Sequence, residues 1–220
     1  MRSARVKICG LTREEDLTVA VAAGVDAVGF LVGVPSSPRN LTLERAEMLI
    51  SQVPIFVDNV VVTTPKSVEW LVEVCKRLKP TAIQIHGKEQ LDSSEIRKKI
   101  KDAQLIKTVY VEDSLNKIAI IEDSKMFDAI LLDSFRKGQY GGTGKVHDWT
   151  LSKKIKEAVA PVPIILAGGL NHENIKEAIL KVQPYAVDVA SGVELSPGVK
   201  DHEKVRMFVE NAKKIKIPNN

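Results

Sequence analysis

Three stretches share one design: AAGVDAVGF (22–30), RLKPTAIQIHG (77–87) and KVQPYAVDVASG (181–192). In each, a segment with helix-like spacing of apolar residues stops at a glycine or proline, and a short apolar run follows that ends in a polar or glycine-containing turn. This is a repeated strand–helix unit. Eight such runs occur: RVKICG (5–10), DAVGFLVG (26–33), PIFVDN (54–59), TAIQIHG (81–87), QLIKTVYV (104–111), FDAILLD (127–133), VPIILAGG (162–169) and AVDVASG (186–192). Between them apolar residues recur at helical spacing, as in Leu17, Val21 and Val25, in Ala46, Leu49 and Ile50, and in Val68, Leu71, Val72 and Cys75. Continuous apolar strands alternating with amphipathic helices imply a parallel sheet covered by helices. Eight repeats in 220 residues close more economically as a (β/α)8 TIM barrel than as an open doubly wound sheet. No linker or low-complexity stretch divides the chain, so a single α/β domain over 1–220 is expected.

Composition narrows the function classes. With 44% hydrophobic residues the chain can build one sizeable core. Cys9 and Cys75 lie far apart in different kinds of segment, which is neither a disulfide framework nor a thiolate zinc site and fits a reducing cytoplasm. No apolar run nears the roughly 18 residues of a membrane span, and no signal-like core follows Met1. A membrane partner is therefore not expected. The net charge of +4 is spread over mixed-sign helical stretches such as EIRKKIKD (95–102) and KKIKEA (153–158), and the basic end AKKIKIPNN reads as the close of the last helix plus a frayed tail. Without basic runs interleaved with aromatics, nucleic-acid binding is not expected.

A barrel gathers its chemistry at the carboxyl ends of its strands. Those positions hold Cys9, the loop PSSPRN, Asp58 and Asn59, His86, Asp133 with YGGTG, AGGLN, and DVASGVE. Gly168 and Gly169 after strand seven and Gly192 after strand eight each precede a segment able to begin a helix. Bare glycine backbone lets N–H groups approach an anion there, so a small phosphorylated substrate is expected. GGTG (141–144), with Gly142, is either a third cradle or a flexible loop shaping the site. Asp133 closes the apolar run AILLD and is a metal ligand, a capping group, or an acid whose pKa is raised by its neighbours. Scattered His86, Asp58 and Asp188 lack metal-ligand spacing, so no metal is expected. Cys9 is either a small buried hydrophobe or, from the mouth opposite Asp133, the base of an acid–base pair. In the latter case the site should stabilise its thiolate. Arg39 is either a bidentate carboxylate fork or a surface arginine. Gln84 and His86 are either site residues or satisfied barrel residues, and Asp188 points to the site or into an internal network.

Taken together, KICGLT, DAVGF with SPR, IQIHG, LLD followed by GGTG and DW, LAGGLNHEN and VDVASGVELSPGVKD resemble the phosphoribosylanthranilate isomerase family of tryptophan biosynthesis, in that family's order and over residues 5–208. The resemblance implies a barrel that performs an Amadori rearrangement of N-(5'-phosphoribosyl)anthranilate without a cofactor. It implies Cys9 as general base, Asp133 as general acid, Arg39 on the anthranilate carboxylate, and Gly168, Gly169, Ser191 and Gly192 on the phosphate. The loop at Val34–Pro35 lacks the family's aromatic, His147 stands where phenylalanine is usual, and Ala190 replaces a serine; these departures bear on substrate affinity rather than reaction type. Other phosphosugar isomerases or epimerases on the same barrel use histidines or paired aspartates at strands one and five, where this chain has Cys9 and KTVYVED. A silent scaffold would have no need of Cys9, Asp133 and Arg39. Assembly is expected to be monomeric or homodimeric.

Overall fold

Why the apolar runs become barrel staves is clearest in β1 (Arg5–Ile8), where Val6 and Ile8 are fully buried against helices while Lys7, between them, points to the interior. The computed structural model describes residues 1–87, 91–111, 117–134 and 147–218. Among these, seven further parallel staves follow in chain order: β2 (Ala27–Val32), β3 (Asp58–Thr63), β4 (Ala82–Ile85), β5 (Gln104–Val111), β6 (Ala129–Ser134), β7 (Ile164–Leu166) and β8 (Ala186–Val189). Each pairs with the next, and β1 pairs with both β2 and β8, so the sheet closes. At closure Lys7 lies opposite Ala27 on one side and Asp188 on the other. The molecule is a single-domain (β/α)8 barrel.

Helices return the chain between staves: α1 (Glu14–Ala22), α2 (Leu43–Ile50), α3 (Val68–Leu78), α4 (Ser93–Lys99), α5 (Lys117–Ser124), α6 (Trp149–Val159), α7 (Ile175–Val182) and α8 (His202–Lys214). Side-chain caps start several of them. Thr42 accepts from Arg45 N at 3.1 Å, Ser67 from Trp70 N at 3.2 Å, and Asp201 from Glu203 N and Lys204 N at 3.1 Å each. The outer faces of the staves and the inner faces of the helices share one apolar cluster that includes Phe30, Leu71, Ile83, Ile130 and Phe208. A second cluster fills the interior, with Ala27, Ala82, Ala129 and Ala186 from even-numbered staves against Val60, Ile106 and Ile165 from odd ones. Alternating small and large side chains around the ring fill the narrow space without clash.

Two expectations need correction. The third stave is Asp58–Thr63 rather than 54–59, because Pro54 opens a turn in which Phe56 takes φ +73 and stands 92% exposed, while the β-branched run Val60–Val62 forms the strand. Asp58 and Asn59 therefore begin a stave, at the amino-terminal end of the barrel, where Asp58 pairs with Arg5 at 2.9 Å. Nor is the last segment simply frayed, since Arg2 and Ile217 exchange backbone hydrogen bonds of 2.9 and 2.8 Å and Ile217 is buried. That bridge ties the two ends of the chain together. No helix among the described residues is long and apolar enough to cross a membrane.

Phe208 anchors α8 with no exposed surface. Phe208→Ala should lower unfolding stability by about 3–5 kcal/mol, read as a shift in urea midpoint at unchanged slope.

Candidate active site

Backbone closeness explains why a cysteine and a glycine follow β1 together. Cys9 continues the inward phase of Lys7, its N–H held by Val189 O at 2.8 Å. A Cβ added at Gly29 of β2 would lie 2.8 Å from Cys9 Sγ and 3.0 Å from Lys7 Cε, so the bare glycine gives both side chains their room. Gly10 has φ +74, and a Cβ there would sit 2.5 Å from Arg39 Cδ. The arginine reaches the barrel mouth across that glycine.

Asp133 ends the inward row of β6 and is 7% exposed. Its Oδ1 accepts from Ser134 N at 2.7 Å. Burial raises its pKa to about 6; Ser134 N–H and Lys7 pull against that rise and Asp188 adds to it. A Cβ on Gly168 would fall 2.4 Å from Ser134 N and 2.9 Å from Asp133 Oδ1, so the strand-seven loop lies directly on this carboxyl.

Below the mouth a polar layer crosses the interior. Lys7 Nζ donates to Gln84 Oε1 at 2.8 Å and to Asp188 Oδ2 at 3.1 Å. The Gln84 amide contacts His86 Nε2 at 2.6 Å, and His86 Nδ1 contacts Tyr110 OH at 3.2 Å. With the amide as donor, His86 is a neutral ring whose Nδ1 carries the proton. Burial, reinforced by Lys7, pushes its pKa down to about 3. Burial also opposes the ammonium of Lys7, but Asp188 and Cys9 outweigh it and the pKa rises. For Cys9 burial dominates and raises the thiol; Lys7 and Lys200 offset part of that, while Asp188 adds to it. The expectation of a stabilised thiolate is thus reversed, because desolvation outweighs the two nearby cations.

At the opposite wall Arg39 forms a side-on fork with Glu194, Nε to Oε1 at 2.8 Å and Nη2 to Oε2 at 2.6 Å. Glu194 belongs to a short antiparallel hairpin, Glu194–Ser196 with Val199–Lys200. Fully buried Lys200 donates to Glu194 Oε1 at 2.8 Å, Cys9 O at 2.7 Å and Ala190 O at 3.1 Å. Neither Glu194 nor Lys200 nor Lys7 was assigned a role from the sequence. For Lys7 the signal was a charge at the inward position of an apolar stave two residues before Cys9; for the other pair, only their place after DVASG.

The two glycine loops meet. Gly168 and Gly169 take φ +77 and +68, and Asn174 Nδ2 holds Gly169 O at 2.9 Å ahead of α7. Ser191 begins a 3-10 turn, Ser191–Val193, and a Cβ at Gly192 would strike Leu170 O at 1.9 Å. Cys9, Arg39 and Asp133, then Gln84, His86 and Asp188, and finally Gly168, Gly169, Ser191 and Gly192 all line this one cleft, as do Val34 and Ala190. Gly142 lies outside the described residues. His147 bridges Ser134 Oγ (3.2 Å) and Ser152 Oγ (2.6 Å), with burial lowering its pKa to about 4. It thereby braces the residue beside Asp133. Among the described residues no three His, Cys, Asp or Glu side chains converge as a metal site. The cleft joins a buried carboxyl that holds its proton up to about pH 6 to a thiol, between two glycine loops and an arginine. Such a set can move protons on a small anionic molecule.

Comparison with known proteins agrees in scale. Residues 6–211 match the family model for N-(5'phosphoribosyl)anthranilate (PRA) isomerase. The N-(5'-phosphoribosyl)anthranilate isomerase of Methanosarcina acetivorans is 42% identical over 223 residues, spanning 95% of this chain and 93% of that protein. The crystal structure of phosphoribosyl anthranilate isomerase from Thermotoga maritima superposes with a TM-score of 0.85 at 38% identity, over 96% of this chain and all of that one. A crystal structure of phosphoribosyl anthranilate isomerase in complex with reduced 1-(o-carboxyphenylamino)-1-deoxyribulose 5-phosphate gives a TM-score of 0.82 at 36% identity, with 96% and 100% coverage.

The raised pKa of Asp133 has a signature in stability. Between about pH 4, where an ordinary aspartate titrates, and about pH 6 the folded chain keeps a proton that the unfolded chain has lost. The contribution of Asp133 therefore falls as pH rises through that window. Urea midpoints of wild type and Asp133→Asn should accordingly diverge in favour of the variant from pH 4 to pH 6; parallel curves would show an unperturbed carboxyl.

Proposed function

The chain belongs to the N-(5'-phosphoribosyl)anthranilate isomerase family of tryptophan biosynthesis, and from that premise we propose that it isomerises its substrate by an Amadori rearrangement run by Asp133 and Cys9 alone, with no cofactor. The observation that carries this reading is the buried pair opening into one cleft, a carboxyl raised to about 6 by burial and a thiol from the opposing stave.

In this mechanism the protonated Asp133 gives its proton to the furanose ring oxygen as the bond from that oxygen to C1' breaks. The anthranilate nitrogen supplies the electron pair, and an iminium forms at C1'. The cation does two things: it acidifies the proton on C2', and it lowers the thiol pKa of Cys9, which burial and Asp188 hold up. Cys9 releases its thiol proton to water and, as thiolate, removes the C2' proton, and the released pair forms the C1'–C2' double bond of an enolamine. In the tautomerisation to the ketone C1' takes a proton back from water and the C2' hydroxyl gives one to the Asp133 carboxylate, so the thiol and the carboxylic acid both return to their starting forms. Lys7 and Lys200 limit the cost of the thiolate while it lasts.

The remaining residues orient the substrate. Gly168, Gly169, Ser191 and Gly192 present backbone N–H groups to its phosphate, supported by the positive φ angles of Gly168 and Gly169 and by the close approach of the two loops. Arg39 binds the anthranilate carboxylate through the edge of its guanidinium that Glu194 leaves open. Gln84 and Asp188 hold Lys7, and Gln84 also holds His86, which favours a supporting role under the reacting atoms. The chain is a single catalytic domain acting in the cytoplasm as a monomer or homodimer. The adjacent exposed Ile55 and Phe56 favour self-association, which sedimentation at micromolar concentration measures.

Cys9→Ser and Asp133→Asn should each lower kcat by about two orders of magnitude or more in the fluorescence assay that follows loss of phosphoribosylanthranilate, with the product analogue still bound. Near wild-type turnover in either variant would remove that residue from the chemistry. Arg39→Ala should raise KM with little change in kcat. Activity should persist in chelator, and loss that added metal restores would overturn the cofactor-free mechanism.

A further inference from the structure

Arg39 meets the cleft with one edge already engaged. The pair with Glu194 consumes the Nε hydrogen and one of the two on Nη2, and both side chains are shielded, 11% and 5% exposed. Nη1 has no hydrogen-bond partner among the described residues, so the end of the fork, Nη1 with the second Nη2 hydrogen, is what remains for a ligand. Glu194 is itself held on two sides: Gly198 N reaches Oε1 at 3.3 Å and Lys200 Nζ reaches the same oxygen at 2.8 Å. Lys200 also binds Cys9 O at the end of β1 and Ala190 O after β8. Three oxygen acceptors around one nitrogen match the three donors of an ammonium; burial lowers the Lys200 pKa, and this arrangement with Glu194 opposes that and favours the charged form.

Two cations and one carboxylate leave a single surplus positive charge, the complement of one carboxylate ligand. A free arginine would have to give up side-chain freedom on binding, and one clamped in advance does not. The clamp also decides direction, because a guanidinium bound along its Nε edge can offer only its end.

We propose that Glu194 is the positioning residue that aims Arg39 at the substrate carboxylate, with Lys200 as the buried counter-cation that keeps Glu194 ionised and in place. This rests on the reading of Arg39 as the carboxylate site. Burial would by itself raise the Glu194 carboxyl, but Arg39 and Lys200 outweigh it and hold it below the ordinary range, so the clamp stays ionised at neutral pH. Glu194 thus acts on specificity rather than on proton transfer. It selects for an aromatic amine that bears an ortho carboxylate.

Calorimetric titration of the full chain with two ligands tests this: reduced 1-(o-carboxyphenylamino)-1-deoxyribulose 5-phosphate, and the same compound with an unsubstituted phenyl ring. Glu194→Gln should weaken the carboxylate ligand by about tenfold, the loss of one good charge-assisted contact, and the phenyl ligand by less than about twofold. Arg39→Ala should show the same selective loss, and the double variant no more than either single one. Equal weakening of both ligands by Glu194→Gln means a merely structural role, and unchanged binding means no role; both overturn the proposal while leaving Arg39 in place if Arg39→Ala still loses the preference. An Arg39→Ala variant that keeps the preference overturns the underlying reading instead. Should Glu194→Gln fail to fold, Arg39→Lys decides: it preserves a cation opposite Glu194 but has no second edge, so the same selective loss is expected, and a retained preference sinks the shared-fork arrangement.

Discussion

β1 is hydrogen-bonded on both sides, to β2 and to β8, and that closure is the constraint on which everything else in this molecule depends. Once the sheet is a ring, every second side chain of eight staves must share one narrow interior. Apolar residues fill its amino-terminal half, alanines from the even staves against Val60, Ile106 and Ile165. Higher up, the same phase of β1 that points Lys7 inward brings Cys9 to the mouth, and the same phase of β6 brings Asp133 there. Apolar packing low in the barrel and polar chemistry at the rim are therefore consecutive readings of the same staves.

Between the two lies the layer built on Lys7. Among the described residues two lysines are buried almost completely, and each is matched to a carboxylate, Lys7 with Asp188 and Lys200 with Glu194. Buried ion pairs are weak contributors to stability, since desolvation consumes most of the Coulombic gain. Their value here is geometric. Lys7 fixes Gln84 and through it His86, while Lys200 joins the ends of β1 and β8 to the hairpin behind Arg39. Both cations also face Cys9, so the network that organises the mouth is the one that moderates the thiol.

One physical effect, loss of water, shifts four groups in and beside this cleft, with opposite sense for acids and bases. It raises Asp133 and Cys9 and lowers His86 and His147, so each group is biased to its neutral form. In the proposed mechanism the protonated Asp133 donates first, and the thiol becomes a base only after positive charge arrives beside it, which would order the two proton transfers without any moving part.

The repeated strand–helix units, the glycine loops after the seventh and eighth staves, and the polar residues that end AILLD and RVKIC were legible in the sequence because period-two alternation and turn chemistry are local properties. The third stave was misread for the same reason: PIFV looks like a strand locally, and only closure of the ring shows that Val60–Val62 must be one, which moves Asp58 and Asn59 to the opposite end of the barrel. The motifs placed Cys9, Asp133 and Arg39 at the rim but did not reveal the partners that tune and aim them. Lys7 meets Gln84 across 77 residues, Arg39 meets Glu194 across 155, and Lys200 meets Cys9 across 191. Such pairings leave no periodic trace, and whether a buried thiol ends up as thiol or thiolate depends on the balance of desolvation against those distant charges. Composition and pattern determined the fold and the residues at its mouth; three-dimensional packing decided their protonation and direction, because electrostatic energy depends on distance through space and not along the chain.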